Sequence, residues 1–357
     1  MKRWLIAACL ALCSFGASAD DQSLTTLPQG MGLPVLVRAG LSFIELHGID
    51  ENAGNFTATV DVRLRWQDLR LAFPASQEAA GYQEFLDAEA DKQLEKIWQP
   101  KVEFANLKGE RTFQKRGLRI YPNGKVELMQ RTTASFSSDF ALENFPFDRQ
   151  ELEVHLISRI EPVQRVLLDF RQDELEFSNT QHGAEAEGWV LSRVELSKDT
   201  AEAWRGDKNT QMKAALVIKR HQNSLISTIF VPLFASLLIP LLVLWLNHIE
   251  DGKFAVDSFE LTNISIGGLF AVVGLNFSIN SSFVNLATGD NPVTRLFALN
   301  YFLLGLSIAV GILLYRFNVV KRMFGAHVQE EFFVCINWAI PVLVFGTATA
   351  MVAMAIF

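Results

Sequence analysis

"SLISTIFVPLFASLLIPLLVLWL", residues 224–246, holds no charged side chain over 23 positions. At 1.5 Å per residue, a helix of that length reaches roughly 34 Å, enough to cross a bilayer. Three more apolar stretches follow, at 259–279, 293–317 and 332–357. Backbone groups at that depth have no water to bond, so each stretch is expected to be a helix. Residues 222–357 therefore read as a four-helix transmembrane domain.

The chain before that point has a different period. In "NFTATVDVRLRWQDL" (55–69), Phe56, Ala58, Val60, Val62, Leu64 and Trp66 fall on one face. Thr57, Thr59, Asp61, Arg63, Arg65 and Gln67 fall on the other. A period of two marks a half-buried antiparallel strand. "YPNGKVEL" (121–128) places a Pro-Asn-Gly turn before another strand, and "QMKAALVIKR" (211–220) is a late strand running almost directly into the first apolar span. Short strands separated by turn signals predict a β-sandwich over residues 20–221. One stretch breaks the pattern. "ASQEAAGYQEFLDAEADKQLEKIW" (75–98) reads as helix, with Phe85, Leu86, Leu94 and Ile97 on an apolar stripe. No low-complexity linker separates sandwich from membrane spans, an arrangement suited to mechanical coupling.

Residues 1–19 have the form of a secretory signal: Lys2 and Arg3 first, then an apolar middle, then Ala17-Ser18-Ala19 as a small-residue cleavage site. Removing it lowers the 32 basic side chains to 30 against 39 acidic ones, a net charge of −9. That balance argues against nucleic acid as a partner, since phosphate binding needs a basic face. Only Cys335 remains of three cysteines, so no intrachain disulfide is expected. A signal followed by four spans puts the sandwich and the C-terminus outside the cytoplasm. Arg316, Lys321 and Arg322 after the third span obey the positive-inside rule, whereas "NHIEDGKFAVD" (247–257) does not. His155, His182 and His221 lack metal-ligand spacing and no nucleophile sits in a recognisable turn, so neither an enzyme nor a cofactor is implied.

The second span is the least lipid-like. Its 24 residues "FELTNISIGGLFAVVGLNFSINSS" include Thr262, Asn263, Ser265, Gly267, Gly268, Gly274, Asn276 and Ser278. Such residues suit either a close helix–helix contact or the wall of a water-filled path. Glu260 at its cytoplasmic start is either a helix N-terminal acid favoured by the macrodipole or, in several copies around an axis, a ring that attracts cations.

With "RWQDLRL" (65–71), "IWQPKVEFAN" (97–106) and "FPFDRQ" (145–150) standing in order before four spans, nearly the whole mature chain resembles the bacterial branch of the pentameric ligand-gated ion channels, the Cys-loop receptor superfamily. The resemblance implies an all-β extracellular sandwich, an all-α transmembrane bundle and a homopentamer around a central pore in the bacterial inner membrane. It implies a channel gated by a small-molecule ligand or by protons. With Glu260, monovalent cations are the expected permeant ions. A non-conducting receptor that signals through a partner and an anion-selective channel are the rival readings. Matched to the family, Trp66, Asp68, Trp98, Pro100 and Asn106 are structural. The Phe-Pro-Phe-Asp loop dips toward the membrane helices. Its disulfide positions fall at Ser138 and Leu152, so it lacks the staple. Phe145 and Phe147 would pack on the helix ends and Pro146 would stiffen the loop, where a cis bond costs little. Asp148 would bracket Arg220, with Asp50 and Glu51 completing the bracket. The connection 281–292, with Asp290, should meet the same loop.

Three helical stripes of the second span can face the pore: Thr262/Ile266/Leu269/Val273/Asn276, Asn263/Gly267/Phe270/Gly274/Phe277, or Ile264/Gly268/Ala271/Leu275/Ser278. The first sets a polar ring below a hydrophobic gate. The resemblance favours the second. For the ligand, the family's aromatic cage positions fall at Asp61, Ala105 and Arg159, none aromatic, with Trp204 in the hairpin 195–210 the one aromatic candidate. Asp61 and Arg159 would bind a zwitterion or an anion, or pair with each other. Protons and a divalent cation acting on the acidic domain are further options.

Overall fold

The computed structural model describes residues 23–28, 30, 32–180, 186–202, 206–221, 225–246, 248–250, 253–255, 258–282 and 289–356. The signal-like residues 1–19 and Trp204 lie outside the described residues.

Among the described residues, ten strands build the N-terminal half: β1 (Val35–Asp50), β2 (Asn55–Gln67), β3 (Gln83–Leu86), β4 (Val102–Phe104), β5 (Leu107–Ile120), β6 (Lys125–Ser137), β7 (Arg149–Ser158), β8 (Val166–Asp169), β9 (Trp189–Glu202) and β10 (Lys208–Arg220). They form a six-stranded sheet ordered β3-β5-β6-β2-β1-β8 and a four-stranded sheet ordered β4-β7-β10-β9. The alternating residues of β2 point as their period requires: Phe56, Ala58, Val60, Val62, Leu64 and Trp66 are buried. Phe136 bridges the core, tilted on Phe56 at 5.5 Å and edge-on to Phe104 at 5.3 Å. Trp66 meets Trp98 edge-on at 6.1 Å. Asn106 joins the sheets by giving Nδ2 hydrogen bonds to the Ser137 and Glu153 carbonyls and accepting from His155 N–H. Asp68 is fully buried and grips Arg70 Nε at 2.8 Å and Nη2 at 2.7 Å.

The stretch 75–98 is not one helix. Phe85 and Leu86 lie in β3, paired antiparallel with β5 opposite Leu118 and Gly117. Helix α1 begins only at Asp87 and ends at Leu94. The edge of β5 offers backbone partners that Gln83–Leu86 takes up, and tertiary pairing overrides a weak helical stripe. A second short helix, α2 (Gln172–Phe177), lies over β1. Gly40 permits this: a Cβ there would meet Phe177 Cδ1 at 2.9 Å and the Glu174 carbonyl at 3.3 Å.

Among the described residues, four helices are long and apolar enough to cross a membrane: α3 (Ile226–Trp245), α4 (Phe259–Ser282), α5 (Pro292–Arg316) and, after the short α6 (Val319–Phe324), α7 (Ala326–Ile356). The last begins at Ala326 rather than 332, because the charged turn before the apolar run continues the helix. A capping box starts α5: Asn291 Oδ1 accepts from Thr294 N–H at 3.0 Å, and Thr294 Oγ1 accepts from Asn291 N–H. Polar bonds tie the helices inside the protomer: Asn300 Nδ2 donates to Ser236 Oγ at 2.6 Å, and Asn276 Nδ2 to Tyr301 Oη at 3.2 Å. Backbone between α3 and α4 forms a small hairpin, His248–Glu250 against Lys253–Ala255.

Candidate functional site: the sandwich–membrane junction and the second helix

Arg220 closes β10, the strand that leads into the first membrane helix. Its side chain is 7% exposed. Two carboxylates hold it. Nε donates to Asp148 Oδ1 at 2.8 Å and Nη2 to Asp148 Oδ2 at 3.0 Å. Nη1 and Nη2 also donate to the two Glu51 oxygens at 2.9 and 3.0 Å. A planar guanidinium suits this double two-point grip as an ammonium would not. Its faces are occupied as well: the guanidinium carbon lies 4.8 Å from the Phe145 ring centre and 4.2 Å from that of Trp189. Burial works against the charge, but the bonds to Asp148 and Glu51 outweigh it and hold the pKa above the ordinary arginine value.

Asp50 stands apart from this bracket. Its Oδ1 accepts from the Asn52 and Ala53 N–H groups at 3.1 and 2.9 Å, shaping the β1–β2 turn. The turn then presents Glu51, not Asp50, to Arg220.

The loop carrying Asp148 is closed without cysteine. Ser138 Oγ donates to the Glu151 carbonyl at 3.2 Å. Buried Gln150 bonds both backbone groups of Ala141 and donates to Asp148 Oδ2 at 2.6 Å. The Phe145–Pro146 bond is cis. Phe145 is buried in one apolar cluster with Ile229, Phe230, Val293 and Leu296 of the membrane helices. Phe147 stacks on Phe230 with ring centres 5.8 Å apart. One loop thus contacts α3 through its rings and the last strand through its carboxylate. Asp290, paired with Arg295 at 2.7 Å, faces Glu51, Leu142 and Glu143 across an open cleft of about 780 Å³.

Along α4, the sides differ. Ser265, Gly268, Val272 and Ile279 are buried against the protomer's own helices. Gly268 is needed there, since a Cβ would stand 2.5 Å from Ile239 Cγ2. Asn263, Gly267, Phe270, Gly274 and Phe277 are all exposed, Phe270 and Phe277 by 71% and 75%. At 100° per residue their mean direction lies opposite the buried side. Thr262, Ile266, Leu269 and Val273 run along one flank, and Gly268 of the third stripe faces inward. Glu260 lies exposed in the first turn.

The residues carried over as ligand contacts are not brought together. Asp61 on β2 lies directly opposite Arg131 on β6 and accepts two bonds from it at 2.7 Å. Arg159, which follows β7 in the other sheet, pairs with Glu103 at 3.2 Å. The two therefore do not pair with each other: they belong to different sheets and each has a nearer partner. Ala105 is exposed in the β4–β5 turn, its N–H bonded to the His155 carbonyl. A cluster that sequence reasoning missed lies on α2. Fully buried Glu174 meets Arg65, stands 3.9 Å from Arg63, and accepts from the Arg171 N–H at its own helix start.

A family model for the neurotransmitter-gated ion-channel ligand binding domain matches residues 24–222. The chain belongs to the pentameric ligand-gated ion channels, the Cys-loop receptor superfamily. Its sandwich is that family's extracellular domain, and its apolar helices make it a multi-pass membrane protein. Among similar proteins is the "Proton-gated ion channel" of Gloeobacter violaceus, 25% identical over 65% of this chain and 62% of that protein. Another is the "Gamma-aminobutyric acid receptor subunit rho-3" of Rattus norvegicus, 26% identical over 46% of this chain and 35% of that protein. The matched part thus spans under two thirds of either relative's length.

Proposed function

We propose that this protein is a homopentameric ion channel of the bacterial inner membrane, opened by a signal sensed in the periplasmic sandwich and selective for monovalent cations. The observation that carries the reading is the junction. A buried arginine at the end of the last strand is bonded to Asp148 and Glu51, while the same loop inserts Phe145 among the membrane helices. A displacement of β10 or of the β1–β2 turn is then passed to α3 and α5 through packed groups rather than a flexible tether. Glu51, Phe145, Pro146, Phe147, Asp148 and Arg220 form the transmission contact, and Asp50 shapes the turn that offers Glu51.

In the assembly, α4 faces the axis with Asn263, Gly267, Phe270, Gly274 and Phe277. Exposure of that stripe, opposite the protomer's own bundle, supports this register. Phe270 and Phe277 rings would narrow the path and gate it by dewetting, and five copies of Glu260 would draw cations to the inner mouth. The name of the bacterial relative favours protons as the stimulus. Asp61 and Arg159 are already engaged by Arg131 and Glu103, which speaks against their holding a zwitterion or an anion. The test is reconstitution in planar bilayers with currents recorded across a pH series. Acid-evoked currents that are lost in Arg220→Gln while pentamers still assemble are expected. Silence of the wild type under every pH and ligand would overturn the reading.

A further inference from the structure

The membrane-distal end of the six-stranded sheet carries a cavity of about 400 Å³ that the transmission contact and the pore do not use. It lies where β1 begins, β2 ends and β6 begins. Arg38, Arg65 and Lys125 line it, against one acid, Asp173, whose side chain is 68% exposed at the rim. Arg38 has no ion-pair partner among the described residues. Arg65 meets Glu174 from behind and Asp173 at 3.4 Å. Lys125 rests 5.1 Å from the Tyr121 ring centre. Burial lowers its pKa and the charges of Arg65 and Arg63 lower it further, while Glu127 and Asp173 offset this only in part. Two cavity-lining residues also carry buried donors without a partner, Arg65 Nε and Trp66 Nε1. The rest of the wall includes Pro28, Pro34, Val35 and Leu36, which is apolar.

We propose that this cavity is a binding site for a small organic carboxylate, whose charged end is held by Arg38, Arg65 and Lys125 and whose carbon body lies on the apolar wall. A net positive cavity in a chain of net charge −7 is an exception to the surrounding field. Forked guanidinium donors match a carboxylate, and the volume is at the lower end of the range for organic ligands. Arg65 is four residues from Asp61 along β2, roughly 13 Å at strand rise, so this site is separate from the positions carried over for the family's ligand. It goes beyond the channel reading and does not depend on it.

The experiment is titration calorimetry on the full-length assembled protein with succinate, benzoate and inorganic phosphate in turn. Saturable binding of a carboxylate is expected, weakened roughly tenfold or more in Arg38→Gln and in Lys125→Gln, as loss of a charge-assisted contact implies. Leu36→Trp, which fills the cavity without touching its charges, should abolish binding and serves if the charge variants do not fold. The proposal is overturned if neither carboxylate binds saturably, if only phosphate binds, or if the cavity variants bind like wild type. The assay reads binding and not current, so its failure is distinct from a failure of the channel reading.

Discussion

Helices α4 and α7 are buried to the same small degree inside the protomer, 17% of the residues in the most apolar 18-residue window of each, yet they are built differently. The most apolar 18-residue window of α7 has a mean hydropathy of 2.1, with Trp338, Val342 and Leu343 largely exposed. The corresponding window of α4 has a mean hydropathy of 1.5, and the helix's exposed side mixes Asn263, Gly267 and Gly274 with two phenylalanines. Hydrocarbon covers the first at no cost. It would leave Asn263 of the second without water or a fixed partner. Equal exposure with unequal polarity supports the proposal that α7 faces lipid and α4 a water-filled axis, and it is the sandwich-to-helix contact that would make the axis respond.

The largest effect tests that contact. Arg220→Gln leaves buried Asp148 without its cation, and breaking such a pair costs about 3–5 kcal/mol. Thermal unfolding should show the loss, and evoked currents should vanish. A variant that unfolds and conducts like wild type would detach α4 from the sandwich. The next breaks the comparison itself. Val342→Arg, mid-way along α7, should cost about 2.5–3.5 kcal/mol on insertion scales and reduce the yield of assembled protein, whereas Gly267→Asn on α4 should leave yield intact. Equal damage from both would mean that α4 also faces lipid.

A third prediction compares thiols. Cys335 on α7 is exposed in the protomer. A cysteine placed at Gly274 should react with a water-soluble cationic thiol reagent roughly tenfold faster or more, because thiolate forms where water is present and is suppressed in apolar surroundings. Similar rates would contradict a wet path along α4. The smallest effect lies before α5. The bond from Arg295 holds the Asp290 carboxyl below its ordinary value of 3.8. A depressed carboxylate stabilises above the unfolded-state pKa and loses that contribution as pH falls through the folded-state value. Wild type and Asp290→Asn should therefore differ slightly in thermal unfolding at neutral pH, begin to converge as pH falls past about 3.8 and meet only below the lower folded-state value. A difference persisting in acid would assign Asp290 another role.

The sandwich was legible because its strands carry one side to the core, as Phe56 to Trp66 do in β2. The stretch 75–98 was not. Its charged residues fit a helix locally, and only the free edge of β5 shows why Gln83–Leu86 is strand. Asp61 illustrates the same limit. Its partner Arg131 is 70 residues away and is fixed by strand register, which no local spacing encodes. On α4, small and polar residues occur on every side, so composition left three stripes open; burial turns Gly268 of the third inward and leaves the first and second both largely exposed. Glu174 gave no sequence signal, since a short acidic helix start reads as solvated until the β2 arginines lie beneath it.

In the proposed channel, α4 lines a cation path guarded by Glu260. The most direct measurement is the reversal potential of the reconstituted channel under a sodium chloride gradient, for wild type and Glu260→Gln. The account predicts that wild type follows the sodium equilibrium potential and that Glu260→Gln shifts toward zero. A reversal potential that follows chloride, or one unchanged by Glu260→Gln, would contradict it.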